Sequence, residues 1–104
     1  MRIGHLEYDP VSITTYCQRW KIVEMEVFGS VLRDDFTGDS DVDILVTFAP
    51  EARRSLFDLA RAEHQLAGII GRRVDLVEKS AVQESQNWIR RRAILESARR
   101  VYAA

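Results

Sequence analysis

The stretch Val27–Val46, VFGSVLRDDFTGDSDVDILV, places a Gly-Ser turn after one apolar run and opens a second apolar run with a pair of carboxylates. Val23, Met25, Val27 and Phe28 predict a first buried strand; Ile44, Leu45, Val46 and Phe48 predict a second. Asp41 and Asp43 are two residues apart, and alternate side chains of an extended chain share a face, so both carboxylates point the same way. Two like charges held together call for a cation between them, and hard cations such as Mg2+ take carboxylate and phosphate oxygens. The expected occupant is a magnesium ion.

Gly29-Ser30 supplies the complementary half. Glycine lets the chain turn tightly against a ligand, and the residues after it open a short helical turn whose free N–H groups suit a phosphate. If Ser30 to Asp34 form that turn, Arg33 lies on nearly the same side as Ser30 and adds a guanidinium. Ser40, just before the acid pair, joins Gly29, Ser30 and Arg33 as an expected nucleotide-binding residue. A third acid, Asp75, stands in the apolar run Val74-Asp75-Leu76-Val77. A carboxylate inside a buried strand is expensive unless a cation or hydrogen-bonded partner meets it, and the expectation here is the cation. Asp41, Asp43 and Asp75 are thus the expected metal-binding and catalytic residues.

Through Gly29-Ser30, Asp41-x-Asp43 and the later Asp75, the sequence resembles the nucleotidyltransferase superfamily that includes DNA polymerase beta. Either half alone is common; strand, Gly-Ser, eleven residues to Asp41, apolar strand and later acid strand together are specific. The motifs span roughly Val23 to Val77, and the length and layout resemble the minimal nucleotidyltransferases, many of which act as antitoxins. Two positions depart from the pattern: Val31 where a basic residue often follows Gly-Ser, and Asp34 where a glycine often follows the arginine. The resemblance implies a mixed sheet with helices packed on it. It also implies ATP as co-substrate, Mg2+ as cofactor, and adenylylation of a tyrosine on a helical HEPN-type ribonuclease toxin. A hetero-oligomer with that toxin is the implied assembly.

The rest of the chain sets bounds. At 104 residues and 46% hydrophobic content it reads as one domain, residues 1–104, of the α/β (α+β) class. A net charge of -1 argues against a protein that coats nucleic acid, and the one cysteine excludes an internal disulfide and a cysteine-built zinc site. No apolar run has the length of a signal peptide core or a membrane span, so the expected compartment is the cytoplasm. Asp9-Pro10 predicts a helix start, with Ile13, Tyr16, Cys17 and Trp20 on its core face and Cys17 a small hydrophobe there. His5, ahead of that helix, falls in an expected mobile segment without a partner.

After the motif, Arg53 to Ile70 reads as a long amphipathic helix with Leu56, Leu59, Ala60, Leu66, Ala67 and Ile70 as its apolar stripe, a solvated His64 and a Gly71 cap. Arg72 and Arg73 suit either solvent or phosphates. Ser80 to Gln83 matches a capping box, and a further helix is expected from about Gln86 to Tyr102. That last segment carries Arg90, Arg91, Arg92, Arg99 and Arg100 against Glu96, which suits a solvated helix face or a docking surface for an acidic partner or RNA.

Other readings use the same residues. Asp39, Ser40, Asp41 and Asp43 also suit a polar turn entering a solvated strand, which would leave Asp75 unexplained. An acid site can persist in an antitoxin that acts by contact alone, and a small-molecule nucleotidyltransferase, acting for instance on an aminoglycoside, would carry the same motif.

Overall fold

The computed structural model describes residues 1–52 and 55–104. Strands β1 (Arg2–Ile3) and β2 (Leu6–Glu7) form a small hairpin; helix α1 (Pro10–Trp20) leads into β3 (Ile22–Phe28). A 3-10 turn (Gly29–Leu32) and a loop precede β4 (Val42–Phe48). Then come α2 (Leu56–Ile70), β5 (Val74–Glu78), α3 (Lys79–Gln83), α4 (Trp88–Ser97) and β6 (Arg99–Ala103). The main sheet has the order β5-β4-β3-β6: β3 pairs antiparallel with β4 and β6, while β4 and β5 run parallel. This is the expected mixed sheet.

Local signals explain the first elements. Asp9 caps α1 by accepting from the Val11 N–H, Pro10 occupies the first turn, and Ile13, Tyr16 and Cys17 are buried as their spacing predicts. Burial pushes the Cys17 thiol up to about 12, so it stays a neutral packing group. A parallel pair needs a crossover, and α2 supplies it between β4 and β5. The expected start of that helix at Arg53 lies outside the described residues; within them, Ser55 and Asp58 form a capping box and Gly71 closes the helix at φ +79°. The core stripe of α2 holds at Leu66, Ala67 and Ile70 and gains Ala62, whereas the expected Ala60 is exposed and Leu56 is 83% exposed, in the first turn ahead of the stretch that faces the sheet. His64 is exposed, as expected.

One face of the sheet holds the main core, where Met25, Val27, Val42, Ile44 and Val46 pack with α1 and α2. The Tyr16 hydroxyl donates to the Ala62 carbonyl at 2.8 Å within this layer, tying α1 to α2. The opposite face carries a smaller cluster, Phe28, Leu45, Val82 and Ile94, under α3 and α4.

Three expectations about the ends of the chain are corrected. The segment expected to be helical to Tyr102 stops at Ser97 and continues as β6, because β3 would otherwise present an unpaired edge. The expected capping box at Ser80 is absent among the described residues; α3 starts one residue earlier, after Glu78, with no side-chain cap bond. His5 is not partnerless: its ring stacks on Phe36 at 5.7 Å, and its N–H donates to the Val31 carbonyl at 2.8 Å.

On the face opposite the main core, Lys79 Nζ donates to Glu26 at 2.7 Å and to Glu24 at 3.0 Å. The Glu26 bond is the foremost cause of the raised Lys79 pKa, and the Lys79 bond is the foremost cause of the lowered Glu24 pKa. A lowered carboxylate contributes stability above its unfolded pKa and loses it as pH falls through the folded value. Lys79→Met leaves Glu26 without its counter-charge and Glu24 with only the exposed Arg100 at 3.3 Å, and is expected to cost about 1–3 kcal/mol at neutral pH. Denaturant unfolding should show this loss shrinking once the pH drops below the ordinary glutamate range; a loss independent of pH would refute the electrostatic account.

Candidate active site

The motif residues converge at one end of the sheet. In the strand register Asp43 of β4 lies between Phe28 of β3 and Asp75 of β5. Paired residues on neighbouring strands share a face, so Asp43 and Asp75 stand side by side on the face opposite the main core. Gly29 turns over them with φ +79°, and a Cβ built on it would land on Asp43 Oδ2. Glycine is therefore required twice, by a backbone conformation that costs other residues about 1–2 kcal/mol and by the closeness of the carboxylate.

Ser30 lies in the 3-10 turn, half-buried, and its hydroxyl forms no hydrogen bond among the described residues. The expected turn from Ser30 to Asp34 is shorter and begins at Gly29; Arg33 lies just past its end, with an extended backbone. Its N–H donates to the Ser30 carbonyl at 2.9 Å and its exposed guanidinium pairs with Asp35 at 3.2 Å. The Ser40 hydroxyl accepts from the Thr37 N–H at 3.0 Å and so shapes the loop that delivers Asp41. Asp41 is about half exposed and pairs with Arg73 Nε at 3.0 Å.

Asp75 corrects one premise. It is exposed, not buried, because β5 is an edge strand and its outer face is uncovered there. The burial cost that would force a cation onto it is absent; what remains is its closeness in register to Asp43. The Leu76 N–H on β5 is satisfied by Glu63 Oε2 of α2 at 3.0 Å.

The strongest electrostatic demand falls on Asp43. Desolvation raises its pKa first, then the charges of Asp75 and Asp41; Arg33 and Arg90 act the other way. A cation among these carboxylates would relieve that demand, and their all-oxygen donor set has the chemistry that Mg2+ takes. Among the described residues no three acidic, histidine or cysteine side chains are gathered as a ready ligand set, and Asp41 is turned to Arg73. A metal held by Asp41 would have to displace that guanidinium.

Two arginines left open in the sequence brace the loop. Arg72 donates to the Thr37 carbonyl at 2.6 Å and lies over the Phe36 ring at 4.4 Å, while Arg73 donates to the Asp39 carbonyl at 2.6 Å. The only signal for them was an Arg-Arg pair directly before an acid-bearing strand. Arg90 was hidden in a basic run; its spacing of four from the apolar Ile94 was the available clue.

A carboxyl whose folded pKa is raised keeps its proton to higher pH than in the unfolded chain, so stability falls as pH rises through that interval and the charged form is a liability at neutral pH. Asp43→Asn is therefore expected to raise the thermal midpoint at neutral pH without divalent cations. The gain should vanish at about pH 3, where the aspartate is protonated in both states. A lower midpoint at neutral pH would contradict this account.

The profile described as a nucleotidyltransferase domain matches residues 13–101. The chain is 44% identical to the protein adenylyltransferase MntA of Thermococcus cleftensis over 66 residues, a match covering 64% of this chain and 65% of that relative's length. A solved structure assigned to the minimal nucleotidyltransferases superposes with a TM-score of 0.65 at 34% identity, covering 86% of each chain. A chain of the complex between a tri-AMPylated Shewanella oneidensis HEPN toxin and its MNT antitoxin shares the fold, with a TM-score of 0.60 at 16% identity over 91% of this chain and 70% of that one. Since the profile match runs from α1 into β6, the chain belongs to the nucleotidyltransferase domain family.

Proposed function

We propose that this chain is a Mg2+-dependent protein adenylyltransferase, the antitoxin of a toxin-antitoxin pair, which transfers AMP from ATP to a tyrosine of a HEPN-type ribonuclease toxin. The observation that carries the reading is the side-by-side register of Asp43 and Asp75 under the Gly29 turn. The MntA relative is a protein adenylyltransferase, and one neighbour in fold comes from a complex with an AMPylated HEPN toxin. Both support the same chemistry.

In this reading Asp41, Asp43 and Asp75 hold Mg2+, which when bound offsets the charge of the phosphates. Gly29 leaves room for the nucleotide, the Ser30 hydroxyl donates to a phosphate oxygen, and Arg33 exchanges its exposed pairing with Asp35 for the triphosphate. The acceptor hydroxyl oxygen attacks the α-phosphorus and the bond to the bridging oxygen breaks. Pyrophosphate leaves with that electron pair, and the hydroxyl proton passes to a carboxylate. Asp75 suits that last role because it is open to an incoming hydroxyl.

A second reading has its own observation. The Asp41–Arg73 pair, which would have to open before Asp41 took a metal, favours an antitoxin that silences its partner by contact. Transfer from α-labelled ATP with Mg2+ into a HEPN-type partner decides between them. Label should enter the partner, fall by about 10²-fold or more in Asp41→Asn and Asp43→Asn, and disappear with a chelator. Tight complex formation without label in any sample would overturn the catalytic reading.

A further inference from the structure

We propose that Arg90 is a further nucleotide-binding residue of this site, its guanidinium reaching from α4 to the phosphate tail of a nucleoside triphosphate held at Asp43. The proposal rests on the adenylyltransferase reading and adds to it a residue from outside the Gly-Ser and Asp-x-Asp motifs.

Position comes first. Ile94 is buried against Phe28 and Leu45 on the face of the sheet that carries Asp43. Arg90 lies four residues earlier in α4, hence on the same stripe, and helical side chains tilt toward the N-terminal end. Helix α4 runs directly into β6, whose Arg99 pairs with Val27 of β3, so its C-terminal end lies on the β3 side and the stripe back from Ile94 to Arg90 leads toward β4 and β5, the strands of Asp43 and Asp75. Arg90 accordingly acts on the Asp43 carboxylate, together with Arg33 just past the 3-10 turn.

Availability comes second. The three consecutive arginines of α4 are not equivalent. Arg91 donates to the Ser85 carbonyl at 2.8 Å, and Arg92 pairs with Glu96 at 2.9 Å. Among the described residues the Arg90 guanidinium has no hydrogen bond or ion pair, although its N–H donates to the Asn87 cap at 3.2 Å. A simple solvated basic face would not single out the one arginine on the stripe that leads to the acids. The planar guanidinium matches two phosphate oxygens, and a triphosphate carries enough negative charge to draw it away from water.

Calorimetric titration of the full chain with a non-hydrolysable ATP analogue and Mg2+, and separately with AMP, tests the assignment. Arg90→Gln should weaken the triphosphate about ten- to a hundredfold while leaving AMP within about twofold. Arg92→Gln removes the same charge one residue pair away and should leave both ligands within about twofold of the wild type. Arg90→Lys should recover part of the loss. If Arg90→Gln keeps the wild-type thermal midpoint and binds the triphosphate as Arg92→Gln does, Arg90 is a solvated surface charge and the proposal is overturned, with the adenylyltransferase reading intact. A wild-type chain that binds no triphosphate overturns both.

Discussion

The parallel pairing of β4 with β5 is the constraint on which the rest depends. Its register, Val42 with Val74 and Asp43 with Asp75, sets two carboxylates beside each other, and a slip of one residue would send one of them to the opposite face. A parallel pair cannot be closed by a tight turn, so α2 must cross between the strands and stay in place. The buried bond from the Tyr16 hydroxyl to the Ala62 carbonyl and the bond from the Leu76 N–H to Glu63 secure the middle of the helix, one to α1 and the other to β5. The geometry of the acids thus depends on packing on the far side of the sheet. A cavity under α1 or α2 would be expected to disturb the site without touching it.

The sheet face that carries the acids treats its charges in two ways. Around Glu24 and Glu26 the chain provides its own counter-charge, Lys79, held at hydrogen-bond distance to both. Around Asp43 the neighbouring arginines lower its pKa, yet burial and the two other aspartates prevail and the net shift is upward. A sequence selected only for stability would have neutralised both ends with a lysine or replaced Asp43 by an apolar residue, since unpaired half-buried carboxylates destabilise. Leaving one end short of positive charge, under a glycine that keeps the space open, is what a site for an external cation and an anionic ligand requires.

Much of this was legible in the residues because the signals were local. Asp9-Pro10, the spacing of Ile13, Tyr16 and Cys17, and Gly71 each act within one turn of helix, and the two strands flanking Gly29-Ser30 read from their apolar runs. What escaped depends on partners distant in sequence. Val101 and Tyr102 continue a helical spacing from Ile94, yet they form a strand because β3 offers an open edge; nothing near residue 98 reports that edge. Asp75 reads as buried from its apolar neighbours, and only the strand order, which puts β5 at the sheet's edge, exposes it. Arg90 reads as one of a run of arginines until Ile94 is known to face Phe28.

The openness of the acids also bears on what kind of acceptor suits them. Asp41 and Asp75 are exposed, and neither the cleft lined by Arg19, Trp20 and Phe48 nor the one lined by Glu24, Thr47 and Lys79 includes an acid of the motif. A small acceptor would have to be positioned by these side chains alone, on an open surface where water competes for every hydrogen bond. A hydroxyl carried by a folded partner brings its own positioning, because docking elsewhere on the surface fixes it before it meets the phosphate. Asp75 on the edge strand β5 and Asp41 in the loop before β4 therefore leave the positioning of any acceptor to surfaces beyond the acids themselves.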